Sequence, residues 1–180
     1  MTTIFDDIDA LEKVAVNLFY GWGYNFYRVE NQLRTDDLTV RAKVGWLIGQ
    51  ARDAVERAES DWRRARLTPP TREKPLPDPA AVAGAQRLEA MSRELGALEA
   101  QIRAHPVPEA DHMTNRYRRE GETLQALLQC DLALVGRAET LRALVADLDG
   151  EALLARSGDI ESGLKSLARN LRERQAMLHV

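Results

Sequence analysis

Apolar residues recur along this chain at steps of three and four, the spacing that gathers them on one face of a helix. Strand-like alternation is almost missing. From Ile4 the stripe passes through Ile8, Leu11, Ala15, Leu18, Trp22, Phe26 and Val29 to Leu33 without a slip, which predicts one helix over 4–33. It crosses Gly21 and Gly23, each costing about 1 kcal/mol relative to alanine inside a helix, so a bend is expected there. Thr35 and Asp36 offer an N-cap, and a second helix carries Val40, Val44, Leu47, Ala51, Ala54, Ala58, Trp62 and Ala65. Both helices reach roughly 45 Å at 1.5 Å per residue, and the tight turn between them predicts an antiparallel hairpin.

Prolines end this region. The stretch Leu67 to Pro79 holds Pro69, Pro70, Pro75, Pro77 and Pro79, and His105-Pro106-Val107-Pro108 follows later; neither can be helix interior. Asp78 as cap with Pro79 at the first helical position opens a third helix, whose seam reads Leu88, Met91, Leu95, Leu98 and Ile102. Met113 and Tyr117 lead into a fourth, with Leu124, Leu127, Leu134, Ala138, Leu141, Val145 and Leu148, stopping near Asp149-Gly150. A short helix is expected over Glu151 to Arg156, a break at Ser157-Gly158-Asp159, and a last helix on Ile160, Leu164, Leu167 and Leu171.

These elements predict an all-α fold, an antiparallel long-helix bundle of two helical hairpins with four long helices and one short. The expected divisions are an aromatic-rich hairpin over 1–67, a proline-rich linker over 68–79 and a second hairpin over 80–180. The halves pack as one bundle or stand as two subdomains. Alanine, glutamate, lysine, leucine and arginine make up about half of the chain, the share found in long-helix proteins.

Charge narrows the partners. A net charge of -3 with 29% charged residues gives a surface rich in ion pairs without the basic field of a nucleic-acid binder. The clusters Arg63-Arg64-Ala65-Arg66 and Arg116, Arg118, Arg119 read as solvated helix ends, so no nucleic-acid partner is expected. The longest uncharged stretch, Val14 to Tyr27, has 14 residues, short of the roughly 20 needed to span a bilayer. The acidic start, Met1 to Asp9, lacks the basic and apolar segments of a secretory signal, so a cytoplasmic location without a transmembrane segment is expected. The lone Cys130 reads as a small buried apolar residue.

Nine of the ten aromatic residues precede residue 63, and the run Phe19 to Tyr27 is the most distinctive part of the chain. On a helix, Trp22 and Phe26 join the core stripe while Tyr20, Tyr24 and Tyr27 form a second stripe beside it. Two apolar stripes need two partners. The second helix, where Gly45 and Gly49 leave room for close approach, is one; the other is the C-terminal half, another protein or a second copy. These rings either fill this chain's own core or form a docking surface, and Tyr20, Trp22, Tyr24, Phe26 and Tyr27 are the candidate partner-binding residues.

Helical bundles also hold di-iron centres built from Glu and Glu-x-x-His. One such motif occurs, Glu109 to His112, and Glu30 is the carboxylate inside the aromatic stretch. These three residues are the candidate ligands of an alternative reading, a ferritin-like iron-binding bundle. Asp131 falls on the apolar stripe of the fourth helix. It is exposed by a small rotation, paired with an arginine that fixes register, or a proton-handling carboxylate. No nucleotide-binding loop or nucleophile elbow is present, and no catalytic residue is assigned. The leading expectation is a non-catalytic helical scaffold or adaptor acting through the aromatic hairpin, with no cofactor.

Overall fold

The computed structural model describes residues 4–20, 33–69, 71–72, 74–104 and 120–179, which form six helices and no strand. In chain order they are α1 (Ile8–Tyr20), α2 (Leu33–Arg66), α3 (Pro79–Ala104), α4 (Glu120–Val145), α5 (Gly150–Ala155) and α6 (Ser157–His179). None is long and apolar enough to cross a membrane.

Helix starts follow from side chains that accept the first unpaired N–H groups. Asp7 accepts from the Ala10 N–H at 3.1 Å, Asp78 from Ala80 at 3.0 Å and Asp149 from Ala152 at 2.8 Å. The second and third of these lie at the breaks expected from Asp78-Pro79 and Asp149-Gly150. The first moves the start of α1 from Ile4 to Ile8. Residues 4–6 form a turn instead, which leaves Ile4 and Ile8 exposed and turns Phe5 into the core. Similarly, α2 begins at Leu33, so Thr35 and Asp36 lie inside the helix. Ser157-Gly158-Asp159 forms the first turn of α6, and the break before it shrinks to Arg156.

Four helices enclose the core. Helices α2 and α3 run antiparallel, because Arg63 near the end of α2 meets Glu89 at 3.0 Å while Gly45 and Gly49 near its start face Arg103 and Glu99 near the end of α3. The room at these two glycines therefore receives α3 side chains rather than the first helix. In mid-length, Glu56 accepts from Arg52 Nε at 2.7 Å and from Ser92 Oγ at 2.9 Å, and these bonds hold its carboxyl below the usual range. Helix α6 returns antiparallel along α4, pairing Arg174 with Asp131 and Gly163 with Leu141. The two pairs meet along α2 and α4, and along α3 and α6. Leu47, Leu88, Leu95, Leu134, Leu141, Leu153 and Leu167 are fully buried in one continuous core.

Helix α1 was expected as half of a hairpin with α2. Among the described residues it packs on α4 instead. Leu11 crosses α4 at Gly136, where a Cβ would overlap the Leu11 carbonyl oxygen; only glycine permits this separation of backbones. Residues 21–32, which connect α1 to α2, lie outside the described residues.

The two ends of the bundle differ. At one end, Trp62 fills the junction of α2, α3 and α5. Its Nε1 donates to the Ala81 carbonyl at 2.9 Å, and its ring lies where a Cβ on Gly84 or Gly150 would stand. Arg66 stacks on the indole at 4.9 Å while bonding Glu151 at 3.1 Å. At the other end lie the start of α2, the end of α3, the start of α4 and the end of α6. Truncating Trp62 removes a large part of the closed end, so Trp62→Ala is expected to cost about 3 kcal/mol of unfolding free energy. Urea denaturation checks this, and a loss below about 1 kcal/mol would contradict the keystone role.

Candidate functional site

The densest set of polar side chains in the core joins α4 to α6. Asp131, which falls on the apolar stripe, is 2% exposed and Arg174 is 5% exposed. Arg174 donates from Nε to Asp131 Oδ1 at 2.5 Å and from Nη2 to Oδ2 at 3.3 Å. This fork fits the planar guanidinium to both carboxylate oxygens and fixes the rotation of α6 against α4. Of the three expectations for Asp131, the pairing with an arginine is the one observed.

Six residues along α4, Arg137 is buried as well, and its Nε donates to the Phe5 carbonyl at 3.1 Å. Asn170 of α6 satisfies both neighbours when its amide oxygen faces Arg137 Nη1 and its amino group faces the Cys130 carbonyl at 3.3 Å. Burial, followed by the neighbouring Arg169, pushes the Arg137 guanidinium below its ordinary value, while Glu173 and Asp6 oppose the shift. The layer therefore links three elements: α4, α6 and the turn before α1.

Cys130 sits in the same layer. Burial, reinforced by Asp131, pushes its thiol from an ordinary 9.0 up to about 12. A thiol so disfavoured as thiolate is a poor nucleophile and a poor metal ligand, which agrees with its reading as an apolar core residue. Ser166, one turn before Asn170, is buried with its Oγ unpaired.

The aromatic candidates stand elsewhere. The last residue of α1 is Tyr20, and Trp22, Tyr24, Phe26 and Tyr27 lie outside the described residues. So do Glu30, Glu109 and His112, the alternative metal ligands. Among the described residues no group of three or more His, Cys, Asp or Glu side chains could hold a metal ion.

The aromatic segment leads into α2 at Leu33, and the first half of α2 carries an apolar ridge outside its core stripe. Leu38 is 47% exposed and Trp46 51%, with exposed Ala42 between them at four-residue steps. Lys43, itself buried, sets its ammonium 4.2 Å over the Trp46 ring, a cation–π contact. Burial lowers the Lys43 pKa against the opposing field of Glu139. Behind the ridge, Val40, Val44, Leu47 and Ile48 are buried in the core.

At the closed end, a cleft of about 490 Å³ lies between Ala54–Arg66 and Asp147–Glu151. Its size suits a small ligand. Its most prominent groups are already engaged, since Arg66 holds both Glu151 and the Trp62 face.

No family model matches this chain, and none of the curated proteins or solved structures compared with it matches either.

Two tests follow from the polar layer. Arg174→Met removes the forked cation from a buried carboxylate and is expected to cost about 3 kcal/mol, whereas Asp131→Leu combined with Arg174→Met recovers most of that loss. Denaturant unfolding of the single and double variants measures both, and an equal loss in the two would contradict the pairing. For Cys130, the raised folded value means that the unfolded chain releases its proton first. This contribution to stability is fully present below pH 9.0 and is lost as pH rises toward about 12. Unfolding free energies of the wild type should therefore fall more steeply above pH 9.0 than those of Cys130→Ala; parallel curves would contradict it.

Proposed function

We propose that this chain is a non-catalytic helical scaffold or adaptor that associates with a second copy of itself through the first half of α2 and the aromatic segment leading into it. The observation that carries the reading is the Leu38–Ala42–Trp46 ridge. Its apolar side chains face outward while the helix behind them already buries a full stripe in the core. A half-exposed tryptophan is the side chain that most often concentrates binding energy at an interface.

The order bulky, small, bulky makes this ridge self-complementary. Two copies laid antiparallel about Ala42 set Leu38 of each opposite Trp46 of the other, the arrangement of an isologous two-fold contact. Tyr20, Trp22, Tyr24, Phe26 and Tyr27, which precede α2 in the sequence, are proposed as further contacts of the same association. The polar layer between α4 and α6 has a structural role in this reading, since Asp131 is paired with Arg174 and Arg137 is hydrogen-bonded to the Phe5 carbonyl.

Size-exclusion chromatography with light scattering tests the proposal on the full chain. The wild type is expected at twice 20.2 kDa, and Leu38→Ser with Trp46→Ser at the monomer mass with its helical circular dichroism retained. A Tyr20→Ser, Tyr24→Ser, Tyr27→Ser variant should weaken the dimer in the same direction. A wild type that stays monomeric at every concentration would refute self-association.

A further inference from the structure

We infer that the cleft at the closed end of the bundle is a binding site for a small zwitterion, a free α-amino acid with a bulky apolar side chain. It uses the second half of α2 and stands independently of the self-association proposed for the first half. One wall is a single face of α2, since its lining residues recur from Ala54 to Arg66 at spacings of three and four. The other wall is the connection from α4 to α5 with the first residues of α5, 147–151. Ala54, Ala58 and Ala65 carry only methyl groups, which leaves the space of about 490 Å³ open above them. Leu148 and the Trp62 ring add apolar surface.

Charge decides what fits. Arg66 is held by Glu151 at 3.1 Å, Asp61 accepts from Arg64 at 3.2 Å, and Asp149 spends Oδ1 on the Ala152 N–H at 2.8 Å. Arg57 and Asp147 remain, one on each wall, and among the described residues neither has a hydrogen bond or an ion pair. The field of Arg142 reaches Asp147, but that guanidinium is forked by Glu139.

Asp147 also stands against local preference. With a φ of 55° it is the one non-glycine residue of positive φ among those described, a conformation that glycine or asparagine adopts more readily after a helix. It follows the C-terminus of α4, where the helix dipole disfavours an anion. Neither the backbone nor the dipole calls for a carboxylate there, whereas a ligand cation does. An ammonium group on Asp147 and a carboxylate on the Arg57 guanidinium satisfy both walls at once, and an apolar side chain then covers the alanines.

Titrating leucine into isotope-labelled full-length chain tests the site by NMR. The Asp147 and Gly150 amides and the Trp62 indole N–H are expected to shift and saturate. Leucinamide, which lacks the carboxylate, and N-acetylleucine, which lacks the ammonium, should each bind roughly fivefold more weakly. Arg57→Gln should weaken leucine by a similar factor and leave leucinamide unchanged, while Asp147→Asn should weaken leucine and leave N-acetylleucine unchanged. Asparagine suits the positive φ at 147, so that variant is expected to keep its helical circular dichroism. No saturating shift at these positions with leucine at its solubility limit overturns the inference. Leucinamide or N-acetylleucine binding as tightly as leucine overturns the assignment to a zwitterion. Leucine binding that both variants leave unchanged lies outside this cleft and overturns the site.

Discussion

Helix α4 has no solvent face along its middle. Residues 133–138 are buried without interruption, and Cys130 and Asp131 are buried before them. A helix enclosed on all sides needs neighbours on all sides, and the arrangement of the chain follows from meeting that need. Helix α2 covers one flank, α6 another and α1 a third. Gly136 allows the third to approach, because any side chain there would strike the Leu11 backbone. The polar residues of α4 must then find partners inside the protein, since water cannot reach them. Asp131 meets Arg174, and Arg137 meets the Phe5 carbonyl.

The same constraint separates the two ends of the bundle. The Trp62 indole closes one end, where Gly84 and Gly150 make room for the ring and the short breaks at 146–149 and Arg156 turn the chain. The helix termini at the other end border both connecting segments, 21–32 and 105–119, and there the exposed ridge of α2 begins. The proposed association therefore belongs to the end that the fold leaves rich in helix termini. The charged layer between α4 and α6 acts as register, and in the proposed association the Leu38, Ala42, Trp46 ridge supplies the contact with a second copy.

Much of the helical content was legible in the sequence because periodicity reports which face of a helix is buried. The α3 seam from Leu88 through Met91, Leu95 and Leu98 to Ile102 is buried throughout, and the cap at Asp78 stands where its side chain suggested, whereas Asp149, read as the end of one helix, caps the next. Periodicity does not report which neighbour does the burying. The pairing of α1 with α4 rather than α2 turns on Gly136 and Gly163, and a glycine inside a strong helical stripe signals close approach without naming the neighbour. The start of α1 was misplaced because the Asp7 cap outweighs two exposed isoleucines. Asp131 and Arg174 stand 43 positions apart, a separation that no local pattern encodes, although the choice of an arginine partner for a buried carboxylate follows from electrostatics. The Leu38, Ala42, Trp46 ridge is legible as a second stripe at four-residue steps on α2, but the denser aromatic run before it dominates the pattern.

The enclosure of α4 within a single chain is the claim on which the account stands. Native-state hydrogen exchange resolved to individual helices tests it most directly. The account predicts that amides of residues 130–138 are among the slowest to exchange, opening only with global unfolding, and that they do so at protein concentrations low enough to exclude association. Exchange of this segment as fast as the terminal turns of α3 under those conditions would contradict it.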